Sequence, residues 1–225
     1  MKATSMSSIW FRAHRSVIDL IENCRGNSAV EFAVIVPVML VMFFGTVELS
    51  SGVAVDRKTT LVARTLSDLT SQSSAQALND SYMQNVFTSA IAILQPYAAV
   101  SATATISEIY VDSNAKATIQ WSRAATFAAA ATQATLAISS RNPGDPVTTV
   151  VPSQLLVKKT YLILSEVNYV YTPAVGYVMK TAITLTDTAY TRPRQQTCFT
   201  YLTVSSLLPL VPIIPPATSG TCPTP

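Results

Sequence analysis

One histidine, three cysteines and twelve carboxylates in 225 residues leave few routes to covalent chemistry. His14 is that histidine, and it lies close to the start. Histidine-based triads and histidine-ligated zinc are therefore excluded from the rest of the chain. Neither Gly-x-Ser-x-Gly nor Gly-x-x-x-x-Gly-Lys occurs, and six glycines supply little backbone for cradling phosphate. The nearest acid pairs, Asp112 with Glu108 and Asp187 with Glu166, are read at strand ends with no supporting motif. No catalytic, cofactor-binding or metal-ligating residue is assigned. Two other groups have informative spacing. Glu31 and Phe32 follow closely on Gly26 and Asn27 and open an uncharged run. Cys198 and Cys222 flank a proline-rich end, far from the isolated Cys24. Those two can pair only outside a reducing compartment, so the two ends of the chain are expected in different redox environments. Charged residues are 12% of the chain and the net charge of +3 is spread along it. Nucleic acid is not an expected partner, because no basic stripe is present to neutralise phosphates.

These residues must be positioned by a chain that is 49% apolar, more than an ordinary soluble domain. Residues 32–47 carry no charge, and small or apolar character resumes beyond Glu48 to residue 55. About 24 helical residues at ~1.5 Å each span a hydrocarbon core of roughly 30 Å. A single transmembrane helix is predicted, with Pro37 as a tolerated kink and Glu48 near its outer edge, where a carboxylate reaches water. Lys2, Arg12, Arg15 and Arg25 precede it and Arg57, Lys58 and Arg64 follow, which favours a cytoplasmic N-terminus only slightly.

Beyond the span, Leu61, Val62, Leu66 and Leu69 recur at helical spacing, so the helix is expected to continue as an amphipathic rod toward residue 78. A second helix fits residues 80–95, capped by Asn79 or Asp80 and stopped by Pro96, with Tyr82, Val86, Ala90 and Ile93 on one face. From residue 100 the period becomes two, giving a hairpin about Asp112, Ser113 and Asn114. The breaker run of residues 142–146 leads to two further strands, residues 160–172 and 177–188, turning at residues 173–176; Tyr177, Met179, Thr181, Ile183 and Leu185 share one face. Prolines from residue 209 onward preclude a central strand there. The expected fold is α+β: a long N-terminal transmembrane helix extends into an amphipathic helix, packed on an antiparallel sheet of about four strands. The expected organisation is a leader at 1–26, the transmembrane helix at 27–55, an exported helical region at 56–98, the β domain at 99–194 and a proline-rich tail at 195–225.

A charged leader ending in glycine, followed by a glutamate, an aromatic and an apolar helix, inverts the order of an ordinary signal peptide, whose apolar core precedes the cut. The segment GNSAVEFAVIVPVMLVMFFGTVEL resembles the N-terminus of TadE-like proteins, minor pilins or pseudopilins of the tight-adherence (Tad/Flp, type IVc) pilus system. VNYVYTPAVG and the later TAYTRPR resemble that family's closing strands. The resemblance implies a pilin-like fold, a prepilin peptidase cut between Gly26 and Asn27, and an assembly role for Glu31 beside Phe32. It implies as partners the peptidase, other Tad/Flp pilins, the inner-membrane assembly platform and membrane lipid. A periplasmic body on a single inner-membrane pass is implied too, with possible export into the pilus. Longer Tad relatives carry an Asp-x-Ser-x-Ser metal run, which this sequence lacks. The alternatives are a membrane-anchored periplasmic binding or sensor module, which has no need of Gly26 and Glu31, and an exported enzyme cut after residues 52–54, which loses the helix.

Overall fold

The computed structural model describes residues 27–173 and 181–202. Gly26, Cys222, Tyr177, Met179, most of the turn at 173–176 and the proline-rich run from residue 209 lie outside them. Helix α1 (Asn27–Ser71) runs without a break for 45 residues, through Pro37. At ~1.5 Å per residue it is a rod of about 67 Å. It is followed by β1 (Ala77–Asn79), α2 (Asp80–Leu94), β2 (Ala102–Val111), β3 (Ala117–Thr126), β4 (Thr135–Ala137), β5 (Thr160–Tyr171), β6 (Ile183–Thr191) and β7 (Thr200–Leu202). Strands 2 to 6 form one antiparallel sheet in the order β4-β3-β2-β5-β6, and β1 pairs with β7 in parallel. The α+β architecture is as expected.

The details differ where local pattern is weak. The sheet has five strands rather than about four, because β4 is three residues in an alanine-rich stretch too short to show alternation. The rod stops at Ser71, not near residue 78, and Leu78 belongs to β1. The last sheet strand runs from Ile183 to Thr191. Helix α2 begins as predicted, with the Asn79 side chain accepting from the Tyr82 N–H (2.9 Å), an N-cap that satisfies one orphan donor. Its buried face is Met83, Val86, Phe87, Ala90 and Leu94, while Tyr82 and Ile93 sit at the margin.

The stripe that α1 turns to the sheet and to α2 comprises Val55, Thr59, Val62, Ala63, Leu66 and Thr70, all essentially inaccessible. The steps of three and four along it are the helical period. Thr59 and Thr70 lie in an apolar seam because their hydroxyls donate back to the carbonyls of Val55 (3.1 Å) and Leu66 (2.8 Å). Leu61, expected on this face, points outward and is 52% exposed. It lies about 100° around the helix from Val62, beyond the sheet's reach. Facing the stripe are Ile106, Ile163 and Val167 from β2 and β5. The opposite face of the sheet buries Ile109, Val111, Ile119, Leu162 and Leu164 under Val147 and Val151 of the long β4–β5 connection.

At one edge of the helix-facing core sits a carboxyl. Glu108 is 1% exposed, mid-strand in β2 rather than at its end. Its Oε2 accepts from Trp121 Nε1 (2.9 Å) and its Oε1 from the Phe199 backbone N–H (2.7 Å). The same indole N–H also reaches the Phe199 carbonyl (3.0 Å). One side chain thus ties β2, β3 and the approach to β7. Next to it, Tyr201 packs on Trp121, the Arg123 guanidinium lies over the Tyr201 ring (4.8 Å), and both Arg123 and the Tyr201 hydroxyl bond Asp80 at the start of α2. Burial pushes the Glu108 carboxyl up to about 8 against the lowering effect of its two N–H donors.

Two outcomes follow from this packing. Leu66→Ala removes a fully buried side chain and is expected to cost about 2–5 kcal/mol, whereas Leu61→Ala costs under about 1 kcal/mol. Denaturant unfolding of the full chain in mild detergent compares the two directly. For Glu108, the folded chain holds a proton that the unfolded chain releases above pH 4.5. Its contribution to stability is complete below that pH, falls by up to about 1.4 kcal/mol per unit as pH rises, and flattens beyond pH 8. Glu108→Gln sets an amide against the indole N–H, so it should be less stable in acid but lose this slope. Thermal melts between about pH 5 and pH 8 read it, and equal slopes in both proteins would refute the assignment.

Candidate functional site

The same helix that builds the core also leaves it. From Ser28 onward α1 has a window of 18 residues with mean hydropathy 2.3 and none of it buried. Val30, Phe32, Val34, Ile35, Val38, Met39, Val41, Met42 and Phe43 are all more than half exposed. A soluble protein does not present so large an apolar surface around a whole helix. The helix is long and apolar enough to cross a membrane. Two hydroxyls along it bond within the helix: Thr46 donates to the Met42 carbonyl (2.8 Å) and, just past the apolar part, Ser50 to that of Val47 (3.0 Å).

The border between the bare and the packed parts lies at Glu48. It was expected at the water-facing edge of the span, yet it is 2% exposed. The reason is geometric: Glu48 is seven residues before Val55 and fourteen before Val62, so it continues the buried stripe. There the last residue of β5, Tyr171, covers the helix and donates its hydroxyl to the Glu48 carbonyl (3.3 Å). The floor of the β domain is thus at residue 48, and the bare part below it is about 20 residues, ~30 Å, the thickness of a hydrocarbon core.

Above the floor, residues that the sequence presented only as charges have structural partners. Lys58 Nζ donates to the carbonyls of Ile93 (2.7 Å) and Gln95 (2.6 Å), capping the C-terminal end of α2 with a cation where the helix dipole is negative. At the far end of α1 the Arg194 N–H reaches the Ser71 carbonyl (2.9 Å), Thr191 donates to the Ser67 carbonyl (3.0 Å), and the Arg194 guanidinium pairs with Asp68. The closing TAYTRPR run therefore fastens onto the end of the long helix. No sequence signal linked those residues, since their partners lie more than a hundred positions away.

Among the residues singled out at the start, Asn27 is the first residue of α1, and Glu31 and Phe32 are exposed on its bare part, Phe32 to 68%. Cys198 is buried, disulfide-bonded, and directly precedes the Phe199 amide that Glu108 holds. The acid pairs do not come together as dyads. Glu108 is occupied as described, and Asp112 Oδ1 accepts from the N–H groups of Asn114 (2.7 Å) and Lys116 (2.8 Å) to shape the β2–β3 turn. Glu166 is also mid-strand rather than at a strand end, and forms a two-pronged pair with Arg141, while Asp187 accepts from the Thr188 N–H.

No curated protein and no solved structure matches the chain. One family model does, that of TadE-like protein, over residues 26–66. The matched stretch comprises the bare apolar part of α1, the border at Glu48 and the buried stripe as far as Leu66. The resemblance read from the N-terminal residues is thereby supported independently: over residues 26–66 the chain is similar to the TadE-like family.

Proposed function

We propose that this chain is a membrane-anchored minor pilin or pseudopilin that contributes to assembly of a Tad/Flp-type adhesive pilus, used in surface attachment and biofilm formation. One observation carries the reading: a single TadE-like helix is bare and apolar for a bilayer's thickness and then, without interruption, becomes the core helix of a β domain. Such a helix can be held by lipid first and by neighbouring helices later, because both environments accept the same apolar side chains. The work is done by packing, and the family is a structural one.

In this reading the N-terminus is cytoplasmic and the β domain periplasmic. A prepilin peptidase cuts between Gly26 and Asn27, which removes the leader and keeps the helix. The partners are that peptidase, other Tad/Flp pilins, the inner-membrane platform and lipid. Cys198 bonds to Cys222 in the oxidising compartment, closing the proline-rich tail into a loop; a bridge over that length is worth roughly 3 kcal/mol in the chain-entropy model. After the cut, Asn27 carries an ammonium at the membrane boundary, where a lone charge costs several kcal/mol. Glu31 lies one turn further on and on the same side of the helix, so it can meet this amine within the chain or on an axially staggered neighbour.

Mass spectrometry of the native protein should find a mature chain beginning at Asn27 and, without reduction, a peptide pair linking Cys198 to Cys222. A chain beginning near residue 55 would overturn the pilin reading, and free thiols in periplasmic material would overturn the bridge. For Glu31→Gln, processing and membrane insertion should be unchanged, while crosslinks to pilin partners and pilus yield fall about fivefold, the equivalent of ~1 kcal/mol. Unchanged crosslinks at matched protein levels would leave Glu31 as a helix-start carboxylate worth ~0.3–1 kcal/mol.

A further inference from the structure

The outer face of the sheet, turned away from α1, carries a cleft that the assembly reading does not use. Its volume is about 490 Å3, and its lining includes Thr105, Ser140, Arg141, Asp145, Glu166 and Asn168. Side chains alternate across a sheet, so with Val167 on the helix side, Glu166 and Asn168 face outward. The register sets Thr105 beside Glu166, and Asn168 beside Thr186, forming two parallel polar rows. The β4–β5 connection makes the wall. It is fixed by Gly144, whose φ of 88° suits glycine, by the Asn142 N–H donating to Asp145 Oδ2 (2.7 Å), and by the Gly144 N–H donating to the Ile119 carbonyl (2.8 Å).

We propose that this cleft is a binding site for a short saccharide. The warrant is its inventory of hydrogen-bonding groups. Arg141 spends two of its five N–H donors on Glu166, and Thr186 donates to Asn168 Oδ1 (2.7 Å). These internal bonds hold Arg141, Glu166 and Asn168 in place, while the Asn168 amide N–H groups, Asp145 Oδ1 and the hydroxyls of Thr105 and Ser140 make no hydrogen bond among the described residues. Donors and acceptors thus lie together in one cleft, matching a polyhydroxylated ring, each of whose hydroxyls both donates and accepts. One guanidinium against two carboxylates disfavours an anion. The scarcity of apolar lining disfavours a greasy ligand, and the size lies in the range of small-molecule sites. Because the cleft is on the face opposite α1, contacts made by that helix, with lipid or with other helices, do not cover it.

The experiment uses the full chain in mild detergent and does not depend on pilus assembly, so its result stands apart from that of the assembly reading. Three probes, maltotriose, N,N′,N″-triacetylchitotriose and trigalacturonate, are titrated by saturation-transfer NMR. At least one of the two neutral sugars should receive saturation, and its apparent affinity should fall about tenfold in both Asn168→Ala and Asp145→Asn. Arg64→Gln, on the helix side, should leave it unchanged. Circular dichroism shows that each variant is folded, and Thr105→Val, which removes one hydroxyl at nearly constant shape, serves as a second reporter should either variant unfold. Transfer to neither neutral sugar, transfer unaltered by the cleft variants, or preference for trigalacturonate would each overturn the proposal.

Discussion

Everything in this molecule depends on the contact between the upper half of α1 and the sheet. A helix so apolar along its lower half would have no fixed relation to a β domain unless some part of it were claimed by that domain. The claim is made by one stripe, from Glu48 through Val55, Val62 and Leu66 to Thr70, all buried. Two of its members are threonines whose hydroxyls turn back onto their own helix. The helix thus lies close on β2, β5 and β6 with its own seam hydroxyls satisfied, while Ser165 Oγ, buried on β5, has no hydrogen-bond partner among the described residues. Lys58 and Asp68 then fasten to the stripe's two flanks, one the end of α2 and the other the closing Arg194.

Long periodic signals were legible in the sequence; short or distant ones were not. The uncharged run, the hairpin about Asp112 and the cap at Asn79 each have a local cause within a few residues, so reading them required no knowledge of the rest. The strands β1, β4 and β7 are three residues each, below the length at which alternation can be recognised; β4 forms on the edge of β3, while β1 and β7 form only by pairing with each other across the chain. Leu61 and Glu48 depart from the expected exposure for one reason. Composition says which residues could be buried, but only the direction of the sheet says which side of the helix is covered, and a carboxylate fell on the covered side while a leucine did not. The N-terminal candidates Asn27, Glu31 and Phe32 were placed on the helix as read, and the family match covers them.

The second fixed point is less predictable still. Glu108 sits where a sheet ordinarily puts an aliphatic side chain, and its reach to the Phe199 N–H and the Trp121 indole is what brings the chain back after Arg194 to pair with β1. A polar group in that position is costly unless satisfied, and here two donors converge on it. The result is that Cys198 is held in a buried, defined place, beside a carboxyl that burial keeps in its neutral form. An apolar residue at 108 would pack as well but would leave the returning strand without its first anchor.

The unbroken course of α1 from bare surface to core has a mechanical meaning. A hinge between a membrane segment and its cargo lets the cargo tumble; a single helix does not. With the sheet clamped along the upper half and the lower half gripped by whatever surrounds it, the rod acts as a lever arm. A small tilt or turn imposed at its bare foot becomes a larger swing of the sheet at its head, and a pull along its axis reaches the sheet as shear spread over many side chains rather than as tension on one loop.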